Sequence, residues 1–157
     1  MLKALAALEI IGGLLGYGFL NAYVWPRYGF GLNLFNLFSL GFFSLCLVAG
    51  IELLRGRRRG LVLSVIAQLP QLVMFNGVNG GYKLQAGLEA LIALKRTGLG
   101  FWLGLGAESL FGPDASKPAE LALNVAPMVS LVLLLRALRR PRPEPPVERS
   151  VSVERAA

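Results

Sequence analysis

Residues Leu61–Val78 read LVLSVIAQLPQLVMFNGV, and the arrangement of the whole chain turns on whether this run crosses a lipid bilayer. It carries no charged side chain. A spanning helix needs roughly 20 mostly apolar residues to traverse about 30 Å of hydrocarbon, so the run is nearly long enough. Pro70 falls inside it, and in a membrane helix proline is a kink that neighbouring helices re-satisfy. Read this way, it is the third of four spans. The others run over about Leu2–Val24, Leu34–Leu54 and Leu121–Leu138. Asn33 is placed to cap the second, and Pro127 sits in the first turns of the fourth, where proline costs least.

The composition agrees with a lipid environment. The 157 residues are 55% hydrophobic and only 16% charged, with a mean hydropathy of +0.60; an ordinary soluble domain carries about 25% charge. The net charge is +7, but the arginines flank apolar runs instead of forming the basic face of a nucleic-acid binder. They read as topology signals and contacts for anionic headgroups. Arg55, Arg57, Arg58 and Arg59 join the second and third runs, and Arg136, Arg139, Arg140 and Arg142 close the fourth. By the positive-inside rule both clusters face the cytoplasm, and an even number of spans puts Lys3 there too. The expected fold is therefore a mainly α integral membrane protein. It has four transmembrane helices in residues 1–138, both termini in the cytoplasm, a loop over 79–120 outside, and a disordered proline-rich cytoplasmic tail over 139–157. The apolar start is too long for a signal peptide and has no small-x-small cleavage site.

The outside loop has a pattern of its own. From Tyr82 to Leu94 every second residue is apolar or aromatic, and Leu99–Ala107 alternates again, with glycine recurring between. That is the period of a half-buried strand. We read an amphipathic β-meander of two or three strands, the third over Ala119–Leu123. The competing reading is a helix over Leu84–Arg96, where Leu84, Leu88, Leu91 and Ile92 fall at helical spacing.

Candidate functional groups are few. There is no histidine, and Cys46 is the only cysteine. That excludes His-ligated haem, His-based zinc sites, histidine general bases and an internal disulfide. No cofactor is expected. The candidate intramembrane polar site consists of Glu9, Gln68, Gln71 and Asn76. An ionisable group at membrane depth is a functional hypothesis by default; the plainer reading, which its modest depth favours, puts Glu9 near the cytoplasmic interface, paired with Lys3 or an arginine of the Arg55–Arg59 link. Ser64, Gln68 and Gln71 share a helical face and serve either as a polar path or as interhelical hydrogen-bonding groups. Gly12 and Gly16 form a small-x-x-x-small contact for helix packing.

The order of parts resembles that of uncharacterised small bacterial four-helix membrane proteins. The resemblance is carried by the polar third segment with Gln68 and Gln71, the junction Gly80-Gly81-Tyr82-Lys83-Leu84, the alternating loop, and the re-entry Leu123-Asn124-Val125-Ala126-Pro127. It implies a fold and a location in the cell membrane, and no activity. The leading functional expectation is a non-enzymatic accessory, scaffold or interaction subunit. Its partners would be the lipid bilayer, further copies of itself or another membrane protein, and not nucleic acid. The alternative is a small oligomeric transporter or channel with Glu9 and the Gln68/Gln71 face lining the path. A lipid-acting enzyme would need a nucleophile, acid and base within reach of one another, and the repertoire for that is thin.

Overall fold

In the computed structural model the described residues are 1–28, 34–77, 80–111 and 120–139. Helix α1 covers Leu2–Phe19 and runs on through a π-helical turn, Leu20–Val24, into the short turn α2, Trp25–Tyr28. The widened turn has a local cause. Pro26 has no N–H to donate and its ring crowds the carbonyl four residues back, and a π turn lets the helix continue past such a point. Helix α3 covers Leu34–Leu54, α4 Arg58–Gln68 and α5 Val125–Arg139.

The expectation of four spans is corrected here. Two helices are long and apolar enough to cross a membrane, the continuous Leu2–Val24 and Leu34–Leu54. The run Leu61–Val78 does not stay helical. α4 ends at Gln68, a 3₁₀ turn occupies Leu69–Gln71, and Val73–Gly77 is strand β1. Pro70 has no N–H with which to continue the α-helical ladder and its ring crowds the preceding turn, so the helix tightens into the 3₁₀ turn there, and the Val-Met-Phe run that follows suits a strand. The fourth run divides likewise into strand β4, Glu120–Asn124, and α5. At 1.5 Å per residue α4 is about 16 Å long and α5 about 22 Å, both short of a bilayer core.

The two or three strands expected in a loop are also corrected. Four strands form one antiparallel sheet in the order β1-β4-β2-β3. β2 covers Gly80–Lys95 and β3 Gly98–Phe111, a hairpin paired without interruption from Tyr82 opposite Phe111 to Lys95 opposite Gly98. Leu84–Arg96 is accordingly not a helix. The ends of the expected third and fourth spans complete the sheet: β1 pairs with β4 from Val73 opposite Leu123 to Asn76 opposite Glu120. On the edge of β2 away from β3, β1 pairs at Gly80–Tyr82 and β4 at Leu91–Lys95. These three strands thus pair mutually, which curls the sheet.

The register sorts the side chains by charge. Lys83, Glu89, Lys95, Glu108 and Glu120 all fall on one face. The opposite face, from Phe75, Leu84, Leu88 and Ile92 to Phe101, Leu103 and Leu121, carries no ionisable group except the Tyr82 phenol. Part of this uncharged face packs on the helices: Leu84 and Ala86 join Leu20, Val24, Phe42, Phe43 and Cys46 in the main core. The rest is bare, with Phe101 83% and Leu103 74% exposed.

The helices have bare apolar sides too. Only 33% of the apolar span of α1 and 39% of that of α3 are buried, and the outward side of α1 is Ala4, Ala7, Ile11, Leu14, Leu15 and Gly18. At one end of the bundle, Leu5 and Ala6 of α1, Leu53 of α3 and Leu134 of α5 cluster, with Leu61 and Val65 of α4 against them. The start of α1, the α3–α4 link and the last turns of α5 therefore share one end. Lys3, Arg55–Arg59, Arg136 and Arg139 belong to it. Arg140, Arg142, Asn33 and the tail from residue 140 lie outside the described residues.

Candidate functional site

Glu9 is the most deeply buried carboxyl group among the described residues, with 2% of its surface exposed. α1 presents it to α4, whose Ser64 and Gln68 stand one helical turn apart on the same side. Ser64 Oγ donates to Glu9 Oε2 at 2.7 Å, and Gln68 Nε2 donates to Oε1 at 3.0 Å. Ser64 and Gln68 are buried as well. Both carboxyl oxygens thus have a donor, and neither donor is charged. Beside the cluster is a void of about 30 Å³ bounded by Leu5, Leu8, Ala86, Leu88, Pro127 and Ser130. It has room for one water.

Gln71 and Asn76 do not join this cluster. Gln71 is buried and turned to the sheet: its Nε2 donates to Ala67 O at 2.9 Å, and its Oε1 accepts from Ala86 N at 2.8 Å. The reason lies in the ladder. Between Tyr82 and Leu91 the outer edge of β2 has neither β1 nor β4 beside it, and a buried backbone N–H needs an acceptor. Gln71 supplies one at Ala86. Asn124 supplies another, its Oδ1 accepting from Ala90 N at 2.9 Å while also taking Ala126 N at 3.3 Å in the first turn of α5. Asn124 was not among the sequence-derived candidates. An asparagine immediately before the Pro-containing first turn of a helix is the capping signal that points to it.

Gly12 touches the sheet, where α1 crosses β2. A Cβ on Gly12 would meet the backbone of Ala86 and Gly87, and one on Gly87, whose φ is +99°, would stand 2.9 Å from Leu8 O. Gly16 lies against the ring of Phe43 on α3. The close approach at Gly12 sets α1 directly on β2 and so fixes the depth at which Glu9 meets α4.

A second cluster occupies the charged face of the sheet. Lys83 Nζ lies 3.0 Å from Glu89 Oε1 and 2.8 Å from Glu108 Oε2. Burial by itself would lower the Lys83 ammonium, but Glu108 and Glu89 outweigh it and hold the group above its ordinary range. Burial raises the nearby Tyr82 phenol, whose hydroxyl donates to Pro70 O at 2.7 Å. The cluster borders a cavity of about 480 Å³ that Asn76, Lys95, Trp102 and Glu120 also line. Both polar atoms of the Asn76 side chain are buried there with no protein partner. Alternation within β2 and β3 puts Lys83, Glu89 and Glu108 on one side; only the pairing of the strands makes them neighbours.

No group of histidine, cysteine, aspartate and glutamate side chains among the described residues is arranged to hold a metal. No protein-family model matches the sequence, and neither a curated protein nor a solved structure is significantly similar to it.

Proposed function

We propose that the chain is a non-enzymatic integral protein of the cell membrane, an accessory or scaffold subunit that crosses the bilayer with α1 and α3 and holds its curled sheet against them. The observation that carries this is the distribution of charge. The sheet keeps its five charged side chains on one face, while its uncharged face, where the helices leave it, is bare apolar surface, as are the outward sides of the helices. A soluble monomer rarely exposes a contiguous apolar patch of more than a few hundred Å². Apolar outside and polar inside is the order expected where lipid is the solvent.

Orientation follows from the basic end of the bundle. Its arginines belong on the cytoplasmic side, and with two spans between them the amino terminus and the α3–α4 link share that side. The carboxy-terminal end of α5 lies with them. The polar groups of the interior support a structural role. Gln71 and Asn124 are spent on the backbone of β2, and Ser64 and Gln68 on Glu9. The bundle's basic residues lie at helix ends facing headgroups, and Lys83 and Lys95 of the sheet are paired with carboxylates, so nucleic acid is not a partner in this reading.

The test is extraction and labelling in cells. The chain should stay in the pellet after alkaline carbonate and need detergent to dissolve. In a Cys46→Ser background, Arg57→Cys should react with a membrane-impermeant thiol reagent only after the cells are opened. A monodisperse protein in plain buffer would refute the proposal.

One observation favours a second reading, a small oligomeric transporter: the water-sized void beside the Glu9 carboxyl. On that reading Glu9→Gln abolishes cation flux into liposomes while leaving the protein folded. The turning of Gln71 away from Glu9 onto β2 counts against a Gln68/Gln71 path.

A further inference from the structure

We propose that the free edge of β3 is the surface on which a second copy of this chain docks, antiparallel, so that the sheet continues across a two-fold axis at Trp102. The inference rests on the membrane reading above, because lipid supplies no hydrogen bonds to an open sheet edge.

β3 is the last strand of the sheet and pairs only with β2. Among the described residues, no backbone group outside the sheet bonds to it. Natural edges are blunted with lysine, proline, bulges or short length. This one has none of those devices: from Gly98 to Ala107 it contains no charge and no proline, and its pairing with β2 has no bulge. Its row of N–H and C=O groups is left as a template, and an antiparallel strand related by a two-fold axis is the self-complementary way to fill it.

The residues choose the register. A two-fold axis that keeps the two faces continuous sets residues of the same parity opposite one another. With Trp102 opposite Trp102, Gly100 faces Gly104 and Gly98 faces Gly106. The two indoles then lie over backbone that carries no side chains. That gives the alternate glycines a purpose, since glycine inside a strand marks a close approach, and Trp102 is now 62% exposed. On the uncharged face Phe101 meets Leu103 and Leu99 meets Leu105, extending one apolar surface across both copies. The charges complement as well. The same register sets Glu108 of the second copy just beyond Gly98, beside the hairpin turn that carries the exposed Arg96, close enough for a long arginine side chain to reach, twice by symmetry. Glu108 keeps 33% of its side chain accessible while paired with Lys83, which leaves it free to accept again.

The experiment uses the full chain in membranes, in a Cys46→Ser background with mild oxidation. Trp102→Cys should give the highest disulfide-dimer yield of a scan over Leu99–Ala107. Gly100→Cys and Gly104→Cys chains should cross-link to each other several-fold better than either does to itself. Arg96→Glu should cut the dimer several-fold and Arg96→Lys should preserve it. Single-copy photobleaching in nanodiscs, a flat yield along the scan, or an Arg96→Glu variant that dimerises normally would each overturn the proposal. Carbonate extraction of the same membranes separates the two readings. Release of the chain removes the membrane reading and this inference together; a retained but monomeric chain removes only the dimer.

Discussion

Gly12→Ala is the substitution on which the contact between helix and sheet can be judged. Alanine is the better helix former by about 1 kcal/mol in a helix interior, so the change stabilises α1 if nothing stands in the way. Something does. The new methyl would lie 2.8 Å from Ala86 O, with Gly87 N and Ala86 C closer still. Ordinary contact begins near 3.5 Å. The obstructing atoms are backbone and cannot rotate away. Ala86 N–H is held by Gln71, and Gly87 is fixed opposite Gly106 in the β2–β3 ladder. α1 must therefore move off, and Glu9, one turn earlier, moves with it away from Ser64 and Gln68. Overpacking costs about 1–3 kcal/mol, and a weakened buried hydrogen bond about 1 kcal/mol. After the propensity gain, a net loss of about 1–3 kcal/mol is expected. Gly18→Ala is the control: it lies on the same helix, with nothing within 4 Å of an added Cβ, and should gain up to about 1 kcal/mol. The assay is denaturant unfolding of both variants in one detergent. If Gly12→Ala proves as stable as Gly18→Ala, α1 does not sit on β2 as described.

Other perturbations probe other parts. Glu9→Leu leaves the Ser64 hydroxyl and the Gln68 amide without an acceptor and should cost about 1–3 kcal/mol; Glu9→Gln, whose carbonyl can still accept, should cost less in the same unfolding measurement. Asn124→Ala should cost about 1–2 kcal/mol as a lost cap, and amide hydrogen exchange at Ala90 should speed up while that at residues paired to β3 does not. Lys83→Met strands Glu89 and Glu108 and should cost about 3–5 kcal/mol, the penalty for breaking a buried pair. The pH dependence has a definite sign. Lys83 is raised in the folded state, so its contribution is complete below the unfolded lysine value and fades as pH rises through the folded one. An alkaline loss of stability above the ordinary lysine range should be present in the native chain and reduced in Lys83→Met, as read by thermal melts across pH.

Much of the helical part was legible because apolar length is a local property. Leu2–Val24 and Leu34–Leu54 are uncharged or nearly so over a full bilayer thickness, and they are the two long helices. The alternation over 82–94 and 99–107 is the pattern of β2 and β3. The misreading lay at Val73–Gly77, taken as the end of a span, and in part at Glu120–Asn124, read both as a third strand and as the start of a fourth span. Five apolar or mixed residues at the end of a longer apolar run have no period by which strand and helix differ. The members of the Glu9 cluster were visible singly, while the diversion of Gln71 was not, because the need it meets is a gap in a ladder that no local pattern records.

By itself the amino-acid order determined the chain's greasy composition, its two long helices, the hairpin's alternating faces and the placing of arginine beside apolar runs, since each depends on neighbours within about twenty positions. Tertiary structure alone decided that residues 73–77 are a strand and that 120–124 belong to the sheet and not to a fourth span, because each finds its hydrogen bonds in the other. It alone decided that Glu9 meets Ser64 and Gln68 and that Lys83 meets Glu89 and Glu108. The physical reason is that backbone and carboxyl groups taken out of water must find donors and acceptors wherever the folded chain places them, and that place is a matter of distance in space.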